Sequence, residues 1–433
     1  MPITAQLAGF VANTRAGDIP TAALSVLQLS MLDWIAVGLV GAREPVSVIC
    51  RDMVVEEAGA EQAALFGSKV RVPARAAALS NGTTSHALDY DDTHFAHIGH
   101  PSVAVISAAL AVAEREGASG TELQAAALIG CEVSVRVGVW LGRSHYQHGF
   151  HQTGTAGAFG AAAAAARLMK LDAAQTEDAL GLVATRASGL KSQFGTMGKP
   201  FNAGIAAANG VEAATLVRAG FVPNPGGLEL AQGFGPTHQG EANAAALDGL
   251  GREWLFEQVS HKFHACCHGL HATLEALATL PKVDVNEVDA ILIRTHPRWM
   301  SVCNQPSPKT GLEAKFSYRM VSAMALLGHS TAALESYDDA LCADPQIIAL
   351  RDRVEVEASE NVAETASVVT LRLSGGGEKV ASFDLNTPMP LEQRRARVLG
   401  KASALLSDER AEALWELVEG QADPQKIARA IAN

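Results

Sequence analysis

From about residue 20 to residue 280 the chain repeats one pattern: an apolar run of helical length, a helix-capping signal, then another apolar run. A chain written this way folds as stacked helices. Each run buries a face against its neighbours, and each cap satisfies backbone donors that a helix start leaves open. Three starts are well marked. Pro101 follows His100 and opens Pro101–Glu116, proline being suited to the first helical position. Ser119 with Glu122, and Asp172 with Gln175, make capping-box patterns ahead of residues 123–139 and 176–186. Composition points the same way. Apolar residues are 48% of the chain, rich in Ala, Leu and Val, and aromatics only 5%, which favours closely packed helices over a β-sandwich.

The pattern changes near residue 283. Val288, Ile291 and Ile293 alternate with Asp289, Arg294 and Thr295 as in a strand, and residues 368–373 and 379–383 are β-rich runs separated by Ser374-Gly375-Gly376-Gly377, a hairpin signal. Between them residues 313–327 read as helix, and after Pro388 and Pro390 residues 391–419 return to a charged helical pattern. At 433 residues two domains are the natural expectation. The expected fold is mainly α: a large all-helical domain from residues 1–261 and 391–433, built from both chain ends, plus a smaller α+β domain at 262–390.

A net charge of −12 leaves no basic field for nucleic acid or an anionic membrane, so neither is an expected partner. The N-terminus carries no export-signal pattern, and the most apolar stretch, residues 31–41, is too short to span a bilayer and reads as a buried helix. Six cysteines in so long a chain do not suggest a disulfide framework, and a reducing cytoplasm is expected.

Seven of the fourteen histidines fall between residues 86 and 151. The densest string, Asn-Gly-Thr-Thr-Ser-His-Ala-Leu-Asp-Tyr-Asp-Asp-Thr-His at 81–94, continues to His97 and His100. Its three carboxylates and four imidazoles suit a metal, proton transfer, or plain helix capping. His100 stands before Pro101 at a helix start, where free N–H groups attract carboxylates. His151, in Gly149-Phe150-His151-Gln152, is placed similarly. Lys199 is the one cation in a Gly-rich apolar stretch, able to clamp a carboxylate or, desolvated, to act as a base. The block at 261–271 holds His261, Lys262, Cys266, Cys267 and His271. A zinc site is its rival reading, but adjacent cysteines do not easily share one tetrahedral ion. No phosphate or dinucleotide loop occurs, so ATP and NAD are not indicated.

Together these pieces resemble the 2-methylcitrate dehydratase (MmgE/PrpD) superfamily, which also contains cis-aconitate decarboxylase and iminodisuccinate epimerase. The matching motifs are the string from Asn81 to Ser102, Gly149-Phe150-His151, Gly198-Lys199-Pro200, the Lys-aromatic-X-X-Cys…His block, and Glu313-Ala314-Lys315-Phe316-Ser317-Tyr318. The resemblance implies a helical domain with an α+β lid domain, a homodimer, a small di- or tricarboxylate substrate bound between the domains, and no metal or organic cofactor. It points to Asp89, His100, His151, Lys199 and Lys262 as catalytic, and to Thr93, His261, Cys266, His271 and Tyr318 as substrate-binding. Either His261 or Lys262 fills the family's basic position. The loop from Thr93 to His100 is one residue longer than in the decarboxylase, and Met320 stands where that branch has an aromatic hydroxyl, with Tyr318 nearby. The implied activity is that of a lyase working by proton abstraction next to a carboxylate, a 2-methylcitrate dehydratase first, with epimerase or decarboxylase as alternatives. A zinc hydrolase and a non-catalytic carboxylate-binding protein are the readings from other classes.

Overall fold

The computed structural model describes residues 1–433. The chain divides into two compact units, Met1–His261 with Leu391–Asn433, and Lys262–Pro390. The first unit opens with α1 (Ile3–Asn13), α2 (Thr21–Gly41), α3 (Pro45–Glu57) and a hairpin of β1 (Ala63–Leu65) and β2 (Ser68–Val72). It continues with α4 (Ala74–Ser85), α5 (Pro101–Glu116), α6 (Gly120–Gln147), α7 (Gln152–Leu168), α8 (Ala173–Val183), α9 (Gly198–Arg218) and the single turn α10 (Phe234–Thr237). The second unit holds α11 (His271–Thr279), β3 (Val288–Thr295), α12 (Gly311–Ala314), α13 (Tyr318–Leu326), α14 (Asp339–Ala343), α15 (Pro345–Arg351), β4 (Val354–Ala358), β5 (Ala366–Leu373) and β6 (Glu378–Asp384). The chain then returns to the first unit with α16 (Leu391–Leu405), α17 (Asp408–Glu419) and α18 (Pro424–Ile431). The fold is mainly α, a large helical unit made from both chain ends and a smaller α+β unit.

In the helical unit α5 and α7 form the centre. Residues 101–114 of α5 and 152–166 of α7 are buried on every side, as their all-round apolar, Ala-rich sequence requires. Glycines set how closely the surrounding helices approach. A Cβ on Gly130 of α6 would stand 2.6 Å from the Gly160 carbonyl oxygen of α7, and one on Gly160 would stand 2.6 Å from that of Gly130. Gly204 of α9 meets α4 in the same way, its missing Cβ falling 2.2 Å from Thr83 Oγ1 and 2.3 Å from the Leu79 carbonyl. The expected caps are present: Pro101 is the first residue of α5, and Ser119–Glu122 and Asp172–Gln175 are reciprocal capping boxes.

The stacked-helix pattern omits two pieces. The β1–β2 hairpin is held by Glu114, which accepts from Ala64 N and pairs with Arg71 at 2.9 Å, and by Asn81, which exchanges hydrogen bonds with Phe66 and Ala64. The irregular stretch after α10 is anchored by a buried ion pair. Arg136 bonds Glu132 at 2.6 Å and donates to the carbonyls of Ala246, Asp248 and Glu253, while Glu132 accepts from Leu255 N and Phe256 N. Both α2, at 21 residues, and α6, at 28, are long and apolar enough to cross a bilayer, so the short 31–41 stretch underestimated α2. Most of each apolar window is packed inside the unit, 78% and 89%, and both serve as core helices.

The second unit is a four-stranded sheet in the order β4-β3-β5-β6, with β3 and β4 parallel and the other pairs antiparallel. The Ser374–Gly377 turn joins β5 to β6, with Gly376 at φ +78°. The single helix expected at 313–327 is two: Thr310 and Glu313 close a capping box on α12, and Ser317 caps α13 by accepting from Met320 N. The run at 391–419 likewise breaks into α16 and α17, because Ser407 caps the second by accepting from Arg410 N.

Candidate active site

Three of the candidate residues stand at helix starts of the helical unit. His100 is the N-cap of α5, His151 is the N-cap of α7, and Lys199 is the second residue of α9. The His100 N–H donates to Thr153 Oγ1 at 3.0 Å and the His151 N–H to the Gly189 carbonyl at 3.0 Å, which ties the starts to each other and to the strap before α9. The loop from His86 to His100 closes over them. Asp89 adopts φ +50°, a left-handed conformation that aspartate tolerates better than most residues.

The side chains form one chain of ion pairs. His86 Nδ1 lies 2.8 Å from Asp91 Oδ1, and His100 Nδ1 lies 3.1 Å from Asp91 Oδ2. His100 Nε2 lies 3.3 Å from Asp89 Oδ1, and Lys199 Nζ lies 2.6 Å from Asp89 Oδ2. His86 and His100 meet edge to face at 4.5 Å, His86 stacks 6.0 Å from His151, and Phe194 stands edge-on to His151 at 4.9 Å. The histidines and Asp91 are buried, while the Asp89 side chain is 41% exposed, so the Asp89–Lys199 end faces solvent.

Burial alone would raise Asp91, but the charges and hydrogen bonds of His100 and His86 outweigh it and hold the carboxyl well below the usual range. Burial lowers His151 well below an ordinary imidazole. The charges of His86, Lys199 and His100 add to this, and Asp89 opposes it, so the ring is neutral near pH 7. Behind the loop, burial pushes Asp92 up to about 7, aided by Asp33 and Asp91 against its bond from Ser102. Lys401 of α16 reaches this layer from the far end of the chain, 2.5 Å from Asp33 Oδ1 and donating to the Tyr90 carbonyl.

Of the residues singled out in the sequence, the structure brings Asp89, His100, His151 and Lys199 together. Thr93 is bridged instead to Ser260 through paired backbone hydrogen bonds, and His261 bonds Ser30 of α2 at 3.1 Å. Lys262, Cys266, His271 and Tyr318 belong to the second unit. There Lys262 is buried near Cys266 and His271, burial pushes the Cys266 thiol up to about 12, and burial with its histidine neighbours keeps His271 neutral. Tyr318 is wholly buried, its hydroxyl donating to the Gly269 carbonyl at 2.8 Å and paired with Thr295.

Three residues were not singled out for the site: His86, Asp91 and Asn202. The first two lay in the densest string, where spacing does not say which carboxylate faces which ring. Asn202 was legible only as the residue three beyond Lys199, on the same face of a helix. Its Nδ2 lies 3.2 Å from His151 Nδ1.

Donor atoms of His86, Asp89, Asp91 and His100 lie within 4.8 Å of one another, a set chemically able to hold a divalent cation. An ion there would displace the His86–Asp91, His100–Asp91 and His100–Asp89 pairs and sit beside the Lys199 ammonium. The four donors are instead paired with one another and with Lys199 where the helix starts converge.

Comparison with known proteins agrees in extent. Residues 5–246 match the MmgE/PrpD N-terminal domain and residues 264–384 the MmgE/PrpD C-terminal domain. A cis-aconitate decarboxylase-like protein of Aspergillus oryzae is 32% identical over 298 residues, covering 65% of this chain and 62% of that protein. The cis-aconitate decarboxylase of Aspergillus terreus is 26% identical over 96% of this chain and 93% of its own length, and that of Homo sapiens is 25% identical over 97% and 92%. With the N-terminal domain alone matching more than half of its residues, the chain belongs to the MmgE/PrpD family.

Proposed function

We propose that this protein is a lyase of small tricarboxylates that removes a carboxyl group from a substrate of the cis-aconitate type. The relatives matched along nearly the whole chain carry that activity in their names, which favours the carboxy-lyase alternative over the 2-methylcitrate dehydratase expected first. The observation that carries the reading is the environment of His100. Both of its ring nitrogens face carboxylate oxygens, at 3.1 and 3.3 Å. A neutral imidazole has one N–H to offer and an imidazolium has two. Flanked in this way, His100 suits a fixed cation better than a base with a free lone pair.

Dehydration of a hydroxy acid needs a base for the C–H proton and an acid for the departing hydroxyl. Loss of CO₂ from a β,γ-unsaturated acid needs no base. The C–CO₂ bond breaks, its electron pair spreads over the allylic carbons toward the carboxylate at the other end, and one proton closes the carbon next to that carboxylate. One proton is consumed and one CO₂ released. Lys199 and the helix starts at α5 and α7 would hold the carboxylates that remain, the His100 cation would stabilise the developing charge, and His151 would stand at the carbon that gains the proton. In this reading Asp89 and Asp91 orient and charge His100. No step in this reading is assigned to Lys262, Thr93, His261, Cys266, His271 or Tyr318.

Proton and carbon NMR of the purified protein in deuterated buffer with chelator tests this directly, using cis-aconitate, citrate, 2-methylcitrate and iminodisuccinate. The expected result is CO₂ from cis-aconitate and a methylene-substituted dicarboxylate carrying one deuterium. Water loss from 2-methylcitrate without any CO₂ would return the protein to the dehydratases, and turnover that appears only with added metal would discard the mechanism. His100→Ala is expected to lower kcat about 100-fold or more while leaving the fold intact.

A further inference from the structure

Asn202 makes two contacts through the same nitrogen. Its Nδ2 lies 3.2 Å from His151 Nδ1 and 3.4 Å from the Leu190 carbonyl oxygen. A carbonyl oxygen only accepts, so the atom facing Leu190 is the amide NH₂ and not the amide oxygen. The amide orientation is thereby set by chemistry, and the second N–H of the same group points at His151. The nitrogen it meets must then carry a lone pair, which leaves the ring proton on Nε2.

We infer that Asn202 is a positioning residue that holds His151 neutral with Nδ1 accepting and Nε2–H presented, so that this ring offers a hydrogen-bond donor to developing negative charge and not a basic lone pair.

The surroundings enforce the arrangement. The strap that supplies the Leu190 carbonyl is pressed against the start of α7, where a Cβ on Gly154 would stand 2.4 Å from the Ser188 carbonyl oxygen and one on Gly189 would stand 3.4 Å from both the His151 carbonyl and Asn202 Cγ. Leu190 is bridged to Phe150, and Asn202 is nearly buried, so neither partner can turn away. The positive end of α7 opposes protonation of its own N-cap residue. The charged and titratable groups that act on His151 are His86, His100 and Lys199, which disfavour a second proton, and Asp89, which favours one. The arrangement separates two rings that sequence treats alike: His100 has both ring nitrogens within 3.3 Å of carboxylate oxygens, and His151 has its Nδ1 facing the Asn202 amide.

The assignment deepens the carboxy-lyase reading and rests on it only for the direction of catalysis, because the tautomer is measurable without substrate. Uniform ¹⁵N-histidine labelling of the full chain, with the His151 signals identified by their loss in His151→Gln, reads each ring nitrogen. For the wild-type protein at pH 7.5 the expected pattern is a protonated Nε2 and a bare Nδ1. A proton on Nδ1, or a doubly protonated ring, would overturn the assignment with no variant needed. In Asn202→Asp a carboxylate replaces the donor, so the proton is expected on Nδ1, the ring should titrate at higher pH, and kcat on cis-aconitate should fall about 100-fold with KM changing less than about threefold. Asn202→Leu, which removes the contact without adding a charge, should give mixed tautomers and an intermediate kcat. Unchanged ring signals in both variants would also overturn the role of Asn202. The expected tautomer in a protein inert toward cis-aconitate would sink the choice of substrate and leave the Asn202 assignment standing.

Discussion

Asp91 and Asp92 are adjacent in sequence and opposite in electrostatics. Asp91 faces two imidazoles and is held ionised, whereas Asp92 turns into the layer behind, beside Asp33 and Ser102, where burial raises it to about 7. A carboxyl whose folded value lies above its unfolded value of about 4 binds a proton more tightly in the folded state, so it favours folding at low pH and loses that contribution as pH rises to 7. Asp92→Asn keeps an acceptor for Ser102 and removes the ionisation. Relative to wild type, this variant should gain about 1 to 3 kcal/mol between pH 5 and pH 8, read from urea midpoints at the two values. A gap that is the same at both pH values would mean that Asp92 is not protonated in the fold. At this scale the sequence named a string that the structure gathers into one cluster and could not choose within it. His86, Asp89, Asp91 and His100 are bound to one another by a loop conformation, including the positive φ of Asp89, that no spacing rule encodes.

The site exists because helix starts converge, and glycines govern the convergence. Lys199 reaches Asp89 because α9 lies against α4 at Gly204, with no room for a side chain. Gly204→Val should therefore drive the two helices apart, costing about 1 to 3 kcal/mol or more in stability and lowering turnover, as measured by urea unfolding and by initial rates. Gly400 of α16 is the contrasting case, a helix-interior glycine with open space around it. Gly400→Ala should stabilise by about 0.5 to 1 kcal/mol, since only backbone entropy changes. Loss of stability at Gly400, or none at Gly204, would contradict this account of the packing. Helices with local signals were legible, as the caps at Ser119, Asp172 and Pro101 show. The β1–β2 hairpin was not, because what holds it is Glu114, 50 residues from Ala64, and Asn81, whose side chain carries no local sign that it bonds the hairpin. The breaks at Ser317 and Ser407 were missed for the reverse reason: each serine is a cap signal inside a run whose apolar pattern continues across it.

Across the helical unit, buried ionisable groups set the response to acid. Burial lowers His94 and His145 to about 4 and His97 to about 3, and holds His151 and His261 well below an ordinary imidazole, whereas it raises Asp92 and Glu114 to about 7 and lifts Glu132. Near pH 5 unfolding lets five imidazoles take up protons and two carboxyls, Asp92 and Glu114, release them, a net uptake. Stability should thus fall as pH drops from about 6.5 to 5, with Tm decreasing over that interval. A flat or rising Tm there would show that the carboxyls dominate. The sequence does not say which of these groups are buried, and in it His94 and His97 look as chemically promising as His100. Their rings are spent on Leu255 and Ser134, and only the tertiary structure separates the three. The sequence by itself determined the class of fold and the family and offered a short list of candidate site residues, because apolar period, caps and motifs act through neighbours along the chain. Which ring is charged, which is neutral and which merely braces the loop was decided by the tertiary structure. Protonation depends on burial and on partners such as Lys401 and Asn202, brought in from hundreds of residues or one helix face away.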